Sequence, residues 1–221
     1  MNISYYFILF IIYSMIGWIV EVINSLISIK RFVNRGFLIG RYCPIYGVGS
    51  VLVIVLLTKY LDEPITLLVM SIVICSLIEY FGSLIMEKLF NTRWWDYSNQ
   101  KFNINGRICL ETMVPFGIGC MAIMYVINPF ISKLVLSIPT NILNIIAIIL
   151  GIIFITDFIV SFTVIAKFKA LPEELKKDNT EKVTEYVKKE INKKNKKLYK
   201  RLIDAFPRLT IMQKIKKKRT K

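Results

Sequence analysis

Apolar residues fall along this chain in five long runs, Ile3–Ile29, Ile45–Leu61, Ile65–Phe90, Thr112–Ile131 and Ile142–Ala166. A bilayer crossing takes roughly 20 apolar residues, within a range of about 17–25. Each run is therefore long enough for a transmembrane helix, and the second is the shortest. The pattern predicts an all-α fold, a polytopic transmembrane helical bundle of about five helices over residues 1–166. The first run has no cationic leader and no small-residue cleavage site, which makes it an anchor rather than a removable signal peptide.

From Lys167 the pattern changes. After Pro172, the residues Val183, Val187, Ile191, Leu198 and Leu202 recur at helical spacing with lysines between them. That is the signature of a basic amphipathic helix lying on a membrane surface or against a partner. Pro207 breaks it, and Lys214–Lys221 is almost wholly cationic. The expected division is a transmembrane domain, 1–166, and a basic cytoplasmic tail, 167–221.

Composition agrees. The chain has 221 residues, 55% of them apolar, with a mean hydropathy of +0.54, far outside the range of soluble domains. Its net charge of +15 is unevenly placed. Residues 1–166 carry 10 Lys/Arg against 8 Asp/Glu, whereas the last 55 residues carry 20 against 7. On a membrane protein the expected partner of such a tail is the anionic inner leaflet of membrane lipids; no nucleic-acid motif accompanies it.

Loop charges give the orientation. The first connection carries Lys30, Arg31, Arg35 and Arg41, and the third carries Lys88, Arg93, Lys101 and Arg107. The second has Lys59 beside Asp62 and Glu63, and the fourth has Lys133. Rich and poor loops alternate, which predicts an N-terminus outside and a C-terminus, with both long loops, in the cytoplasm. Five spans require termini on opposite sides, so count and charge agree.

There is no histidine, the commonest general base and metal ligand. Cys43, Cys75, Cys109 and Cys120 have neither metal-ligand spacing nor the look of a disulfide framework. Reduced thiols, no metal site and no cofactor are expected. Chemistry then falls to carboxylates inside the apolar runs. A carboxylate at the bilayer centre costs about 2.5–3.5 kcal/mol on insertion scales, so it should face protein or water and have a partner. Glu21 and Glu87 lie near helix ends, where they can reach the interface. Glu79 and Asp157 lie deeper, as interhelical glue or as parts of a polar pathway. Glu79 and Glu87 stand eight positions apart, about 80° around a helix, and can share a broad face.

Two loops hold the remaining candidates. The first reads Asn34-Arg35-Gly36-Phe37-Leu38-Ile39-Gly40-Arg41-Tyr42-Cys43-Pro44-Ile45-Tyr46-Gly47. A segment this rich in Gly and Pro yet still apolar is expected to be ordered or partly inserted rather than a solvated linker. Non-helical backbone at membrane depth is tolerated against protein or water. The second loop carries Arg93-Trp94-Trp95-Asp96-Tyr97-Ser98 and Asn105-Gly106-Arg107-Ile108-Cys109-Leu110-Glu111. An interfacial aromatic belt explains Trp94, Trp95 and Tyr97 but not Asp96 among them. Arg107 and Glu111, four apart, would meet if the helix already included Arg107. At an offset of 70, Gly36, Gly47 and Gly49 fall on Gly106, Gly117 and Gly119, while Pro44 misses Pro115 by one. The two helix–loop–helix units would then be parallel repeats, as in some transporters.

These blocks together resemble the signature of a bacterial family of membrane proteins, the CmpB-like or ABC-transporter type IV proteins. The resemblance spans roughly residues 5–165 and departs from the pattern at Arg41, where a proline is expected, and at Glu111-Thr112-Met113-Val114-Pro115, where a more serine-containing stretch is expected. It implies a multi-pass protein of the bacterial cell membrane and a permease-like subunit. No Gly-x-x-x-x-Gly-Lys-Ser/Thr loop occurs in the chain, so hydrolysis of ATP would need a separate ATPase subunit. A homo-oligomer is a further possible assembly. Two other functions compete with transport. One is a membrane enzyme acting on a lipid or phosphorylated headgroup, with Arg35, Arg93 and Arg107 holding the anion and Glu21, Glu87 or Asp96 as base. The other is a non-catalytic scaffold or regulator that recruits partners through the tail.

Overall fold

The computed structural model describes residues 2–30, 32, 36, 38–90 and 95–169. Expectations for the tail beyond Lys169, and for Asn34, Arg35, Arg93 and Trp94, lie outside these residues. The described chain is almost wholly helical: α1 (Ile3–Ile29), α2 (Pro44–Leu57), α3 (Pro64–Phe90), α4 (Leu110–Leu136) and α5 (Thr140–Lys169). One small antiparallel hairpin, β1 (Asn103–Ile104) with β2 (Ile108–Cys109), lies in the second loop, with Ile104 opposite Ile108.

The helices start and stop where the local chemistry says they should. Asn2 caps α1 by accepting from Ser4 N, and Lys30 ends it in the left-handed region at φ 50. Pro44 opens α2, where its missing N–H costs nothing. Near the middle of α4 the backbone widens into a π turn over Ile123–Ile127. Pro129 follows at once, and its ring clashes with the carbonyl four residues back, which the wider turn relieves.

Contacts along the bundle give the directions of the helices. Asn2 bonds Asn144 at 2.8 Å and Phe10 meets Phe154 edge-on, so α1 and α5 run the same way. Tyr5 pairs with Ser132 at 2.7 Å and Tyr13 with Asn128 at 3.1 Å, so α4 runs against α1. The chain therefore passes back and forth five times, and α1 begins at the end of the bundle opposite to the one where α5 finishes. Four of these helices are long and apolar enough to cross a membrane, while the fifth, at Pro44–Tyr60 with its closing 3₁₀ turn, is shorter. The fold is an all-α membrane bundle, and the weakest apolar run in the sequence is the short helix.

The reason α2 can be short is that the loop before it folds inward. Cys43 N donates to Ser14 O at 2.8 Å, about halfway along α1. Leu38 is fully buried. At about 1.5 Å per residue the helical part from Pro44 to Tyr60 covers roughly 25 Å, against roughly 40 Å for α1. The inserted loop makes up the difference. From Leu38 to Cys43 the loop is inserted, as its Gly/Pro-rich apolar sequence predicted; Asn34, Arg35 and Phe37 lie outside the described residues.

The interior has an apolar end and a polar end. Tyr5, Leu9 and Tyr13 of α1 pack with Val53, Ile54 and Leu57 of α2, Leu67 of α3, Met124 of α4 and Leu143 of α5. Outward faces are equally apolar: on α5, Ile145, Ile148, Ile149, Ile152, Ile153 and Ile155 are all exposed. With lipid outside there is no hydrophobic gradient to bury them, and close packing of small residues brings the helices together instead. At Gly47 a Cβ would run into Ser14 Oγ and the Phe10 carbonyl oxygen. Gly47→Ala is expected to force α2 off α1 and to lower stability by about 1–3 kcal/mol. Thermal unfolding in detergent reads this, and an unchanged midpoint would mean that the helices approach less closely than described.

Candidate functional site

The polar end is built from four short stretches. Tyr46, third residue of α2, donates its hydroxyl to Glu21 Oε1 at 2.7 Å. The equivalent position of α4 is Thr112, whose hydroxyl lies beside the Glu79 carboxyl group together with that of Tyr97. Glu79 in turn is within electrostatic reach of Glu21, and Tyr97 of Tyr46. Cys43 caps the start of α2 and Cys109 the start of α4, both in extended backbone and both buried. Two helix N-termini, two carboxylates and three hydroxyls thus converge from both halves of the chain.

Tyr97 reaches this cluster because its loop is tied down. Its N–H donates to Gly106 O at 2.8 Å, while Trp95 Nε1 donates to Arg107 O at 3.0 Å. Gly106 turns the hairpin at φ 66 and Asn105 precedes it at φ 53; a Cβ is tolerated at neither angle without strain except by residues such as Asn. Asn105 Nδ2 also bonds Tyr80 Oη at 2.9 Å, and Gly106 N bonds Asn103 Oδ1 at 3.0 Å. Burial, with Glu79 beside it, pushes the Tyr97 phenol well above its ordinary range, so it remains a proton donor at any physiological pH.

Among the described residues, Arg107 is the buried cation of the cluster. It pairs with Glu87 Oε2 at 2.7 Å, donates to Ser83 Oγ at 3.1 Å and lies 5.8 Å from the Tyr80 ring centre. Tyr80, Ser83 and Glu87 are three and seven residues apart on one face of α3, which the guanidinium overlies. The expected helical pair of Arg107 with Glu111 does not form. Arg107 precedes α4 in a turn, so the two side chains share no helix face, and Glu111 is exposed in the first helical turn. Asp96 is also exposed; it accepts from Ser98 N and Ser98 Oγ and so caps a turn within the loop. Gly36 occupies the left-handed region at φ 96.

Asp157 proves to be glue, and for a loop rather than a helix. Its carboxylate accepts from Ile39 N at 2.9 Å, Gly40 N at 2.6 Å, the Tyr42 hydroxyl and Ser161 Oγ at 2.9 Å. It pins the inserted first loop to α5. Nothing in the sequence near Asp157 names that partner, because 117 positions separate it from Gly40.

The helix starts suggest a different register for the expected internal repeat. Taking the helix starts as equivalent gives an offset of 66, on which Gly40-Arg41-Tyr42-Cys43 falls on Gly106-Arg107-Ile108-Cys109 and Glu21 falls on Glu87. The shared Gly-Arg-x-Cys was legible in the sequence and is a closer match than the glycines at an offset of 70. Gly47 and Gly117 are not equivalent: the first packs on Phe10 and Ser14, the second on Leu68 and Ile72, farther from the loop. The two arginines also differ in use. Arg107 is buried against Glu87, whereas Arg41 is exposed and lies 5.8 Å from the Trp18 ring centre. Away from the cluster, Cys75 and Cys120 lie with their sulfurs 3.3 Å apart as free thiols.

Compared with known proteins, the chain matches a family model described as Putative ABC-transporter type IV over residues 8–162. That span takes in α2, α3, α4, most of α1 and α5, and both loops of the cluster. No curated protein and no solved structure matches the chain.

Proposed function

The chain belongs to the ABC-transporter type IV family, and from that premise we propose that this multi-pass, transport-associated membrane protein is the permease-like subunit of an ABC transporter. The observation that carries the reading is the convergence, inside a membrane bundle, of two helix N-termini on paired carboxylates from both halves of the chain. Broken or shortened helices whose N-termini meet at a polar site within the membrane are a recurring device of transport proteins. In this reading the site faces the cytoplasmic side of a bacterial cell membrane, with Asn2 outside, which the alternation of Lys/Arg-rich and Lys/Arg-poor loops supports. The same side carries the basic tail, which docks on anionic lipid.

Since the chain has no phosphate-binding loop, ATP is handled by a separate subunit. The two cytoplasmic loops are its docking surface. The test is to solubilise the tagged protein gently from its native membrane and identify what copurifies by mass spectrometry. A nucleotide-binding ATPase in fixed ratio is expected, and changing Trp95 to Ala, which removes the indole bond to the Arg107 carbonyl that ties the two ends of the second loop together, should remove it while the protein remains in the membrane. Recovery of the chain alone, or only with copies of itself, would count against the permease reading and favour a lipid-headgroup enzyme.

A further inference from the structure

We infer that Glu21 and Glu79 together bind one monovalent cation between the N-termini of α2 and α4. This rests on the cluster being the working site and names what it takes. Both carboxylates sit among hydroxyl groups rather than bases. Tyr46 donates to Glu21, and Tyr97 and Thr112 lie against Glu79. Neither acid is paired with a Lys or Arg among the described residues; the buried arginine nearby is taken by Glu87. Two acids within electrostatic reach of one another in an apolar bundle, with no positive side chain paired to either among the described residues, call for a positive partner.

Among the described residues three buried side-chain oxygens lack a hydrogen-bond partner, Ser71 Oγ, Ser76 Oγ and Glu79 Oε2, and the last two stand three residues apart in α3. Glu79 is only 7% exposed, and its Oε2 has no hydrogen-bond partner. Ser76 is also 7% exposed, and its Oγ is likewise unpartnered. Ser76 lies three residues before Glu79, one turn along the same face of α3. A hydroxyl can rotate to suit nearly any neighbour, so one orphaned within a turn of an orphaned carboxylate oxygen is suited to share a ligand with it.

Charge argues for a single positive charge. Each helix N-terminus is equivalent to about +0.5 of an elementary charge. Two of them offset about half of the two carboxylates, and one monovalent cation completes neutrality. The ligand atoms are hard oxygens, which suit an alkali-metal ion or a proton and not a soft metal. No group of three or more His, Cys, Asp or Glu side chains gathers among the described residues, as a divalent transition metal would need.

The experiment uses the purified full-length protein in lipid nanodiscs. Thermal unfolding is followed while NaCl or KCl replaces N-methyl-D-glucamine chloride at constant ionic strength. Infrared spectra at neutral pH report whether a protonated carboxyl is present. The titratable groups around Glu79 are Tyr97, Cys75 and Glu21, with Cys109 beside Tyr97. A midpoint that rises with alkali-metal ion along a single-site curve, lost in Glu79→Gln, assigns the site to that ion. Ser76→Ala, which keeps both carboxylates, should then weaken the ion at least about tenfold. If the midpoint ignores both ions but a protonated carboxyl absorption is present and vanishes in Glu79→Gln, the bound cation is a proton. A chain with neither response, or with an ion response untouched by Glu79→Gln and Ser76→Ala, overturns the inference. These readouts need no ATPase. A silent titration with an ATPase still copurifying removes the cation and leaves the permease reading standing.

Discussion

Arg107→Ala should be among the most damaging single changes in the chain, lowering the unfolding free energy by about 3 kcal/mol. The substitution leaves Glu87 without its 2.7 Å partner and Ser83 without its donor, and it removes the cation from the Tyr80 ring. The figure is set at the low end of the range for broken buried pairs because the Glu87 side chain is 32% exposed and water can reach it. Arg107→Lys should recover less than half. A lysine ammonium is a point donor and cannot span Glu87 and Ser83 as a planar guanidinium does. A double-mutant cycle with Glu87→Gln, read by denaturant or thermal unfolding in micelles, isolates the pair. Additive losses would show that the two side chains do not stabilise one another. A larger loss in Arg107→Ala than in the double variant is the expected signature, because the double variant leaves no uncompensated carboxylate.

Asp157→Ala should release the first loop. It deprives the Gly40 N–H and the Tyr42 hydroxyl of their acceptor and leaves the Ile39 N–H only its 3.1 Å bond to Ser161 Oγ, and hydrogen bonds to a charged group are worth about 1.5–3 kcal/mol each. Ile39 is partly exposed and water will replace part of this, so a net loss of about 2–4 kcal/mol is expected. Asp157→Asn, which retains an acceptor oxygen but not the charge, should fall between. A second readout is local. Arg41 is exposed in the pinned segment, and trypsin cleavage after it should accelerate in Asp157→Ala in proportion to the open population. Cleavage at the wild-type rate in a destabilised variant would show that Asp157 supports α5 packing rather than the loop.

Both predictions concern residues whose types were visible in the sequence and whose partners were not. Intramembrane acids announce themselves, since an ionised group in hydrocarbon must be compensated. Glu21, Glu79, Glu87 and Asp157 were all found on that ground. Which compensation each receives depends on chain segments far away: a tyrosine 25 residues on for Glu21, an arginine 20 residues on for Glu87, and a loop more than 100 residues back for Asp157. The expected Arg107–Glu111 pair failed for a related reason. Spacing of four places side chains together only inside a helix, and the hairpin that ends at Cys109 keeps Arg107 out of α4.

Membrane residence, the number of helices and the weakness of the second follow from apolar run length, because the thickness of a bilayer sets one ruler for every segment. The inserted character of the first loop also follows from local sequence, since Gly and Pro in apolar company suit neither a helix nor water. Tertiary structure alone decided that Tyr46 at the start of α2 meets Glu21 and Thr112 at the start of α4 meets Glu79, that Arg107 turns to α3, and that Asp157 holds a loop. In lipid, side chains gain nothing from burial as such, so helix packing is chosen by close fit at small residues such as Gly47 and by a few polar pairs. Those are properties of two surfaces together, and neither run of sequence contains them by itself.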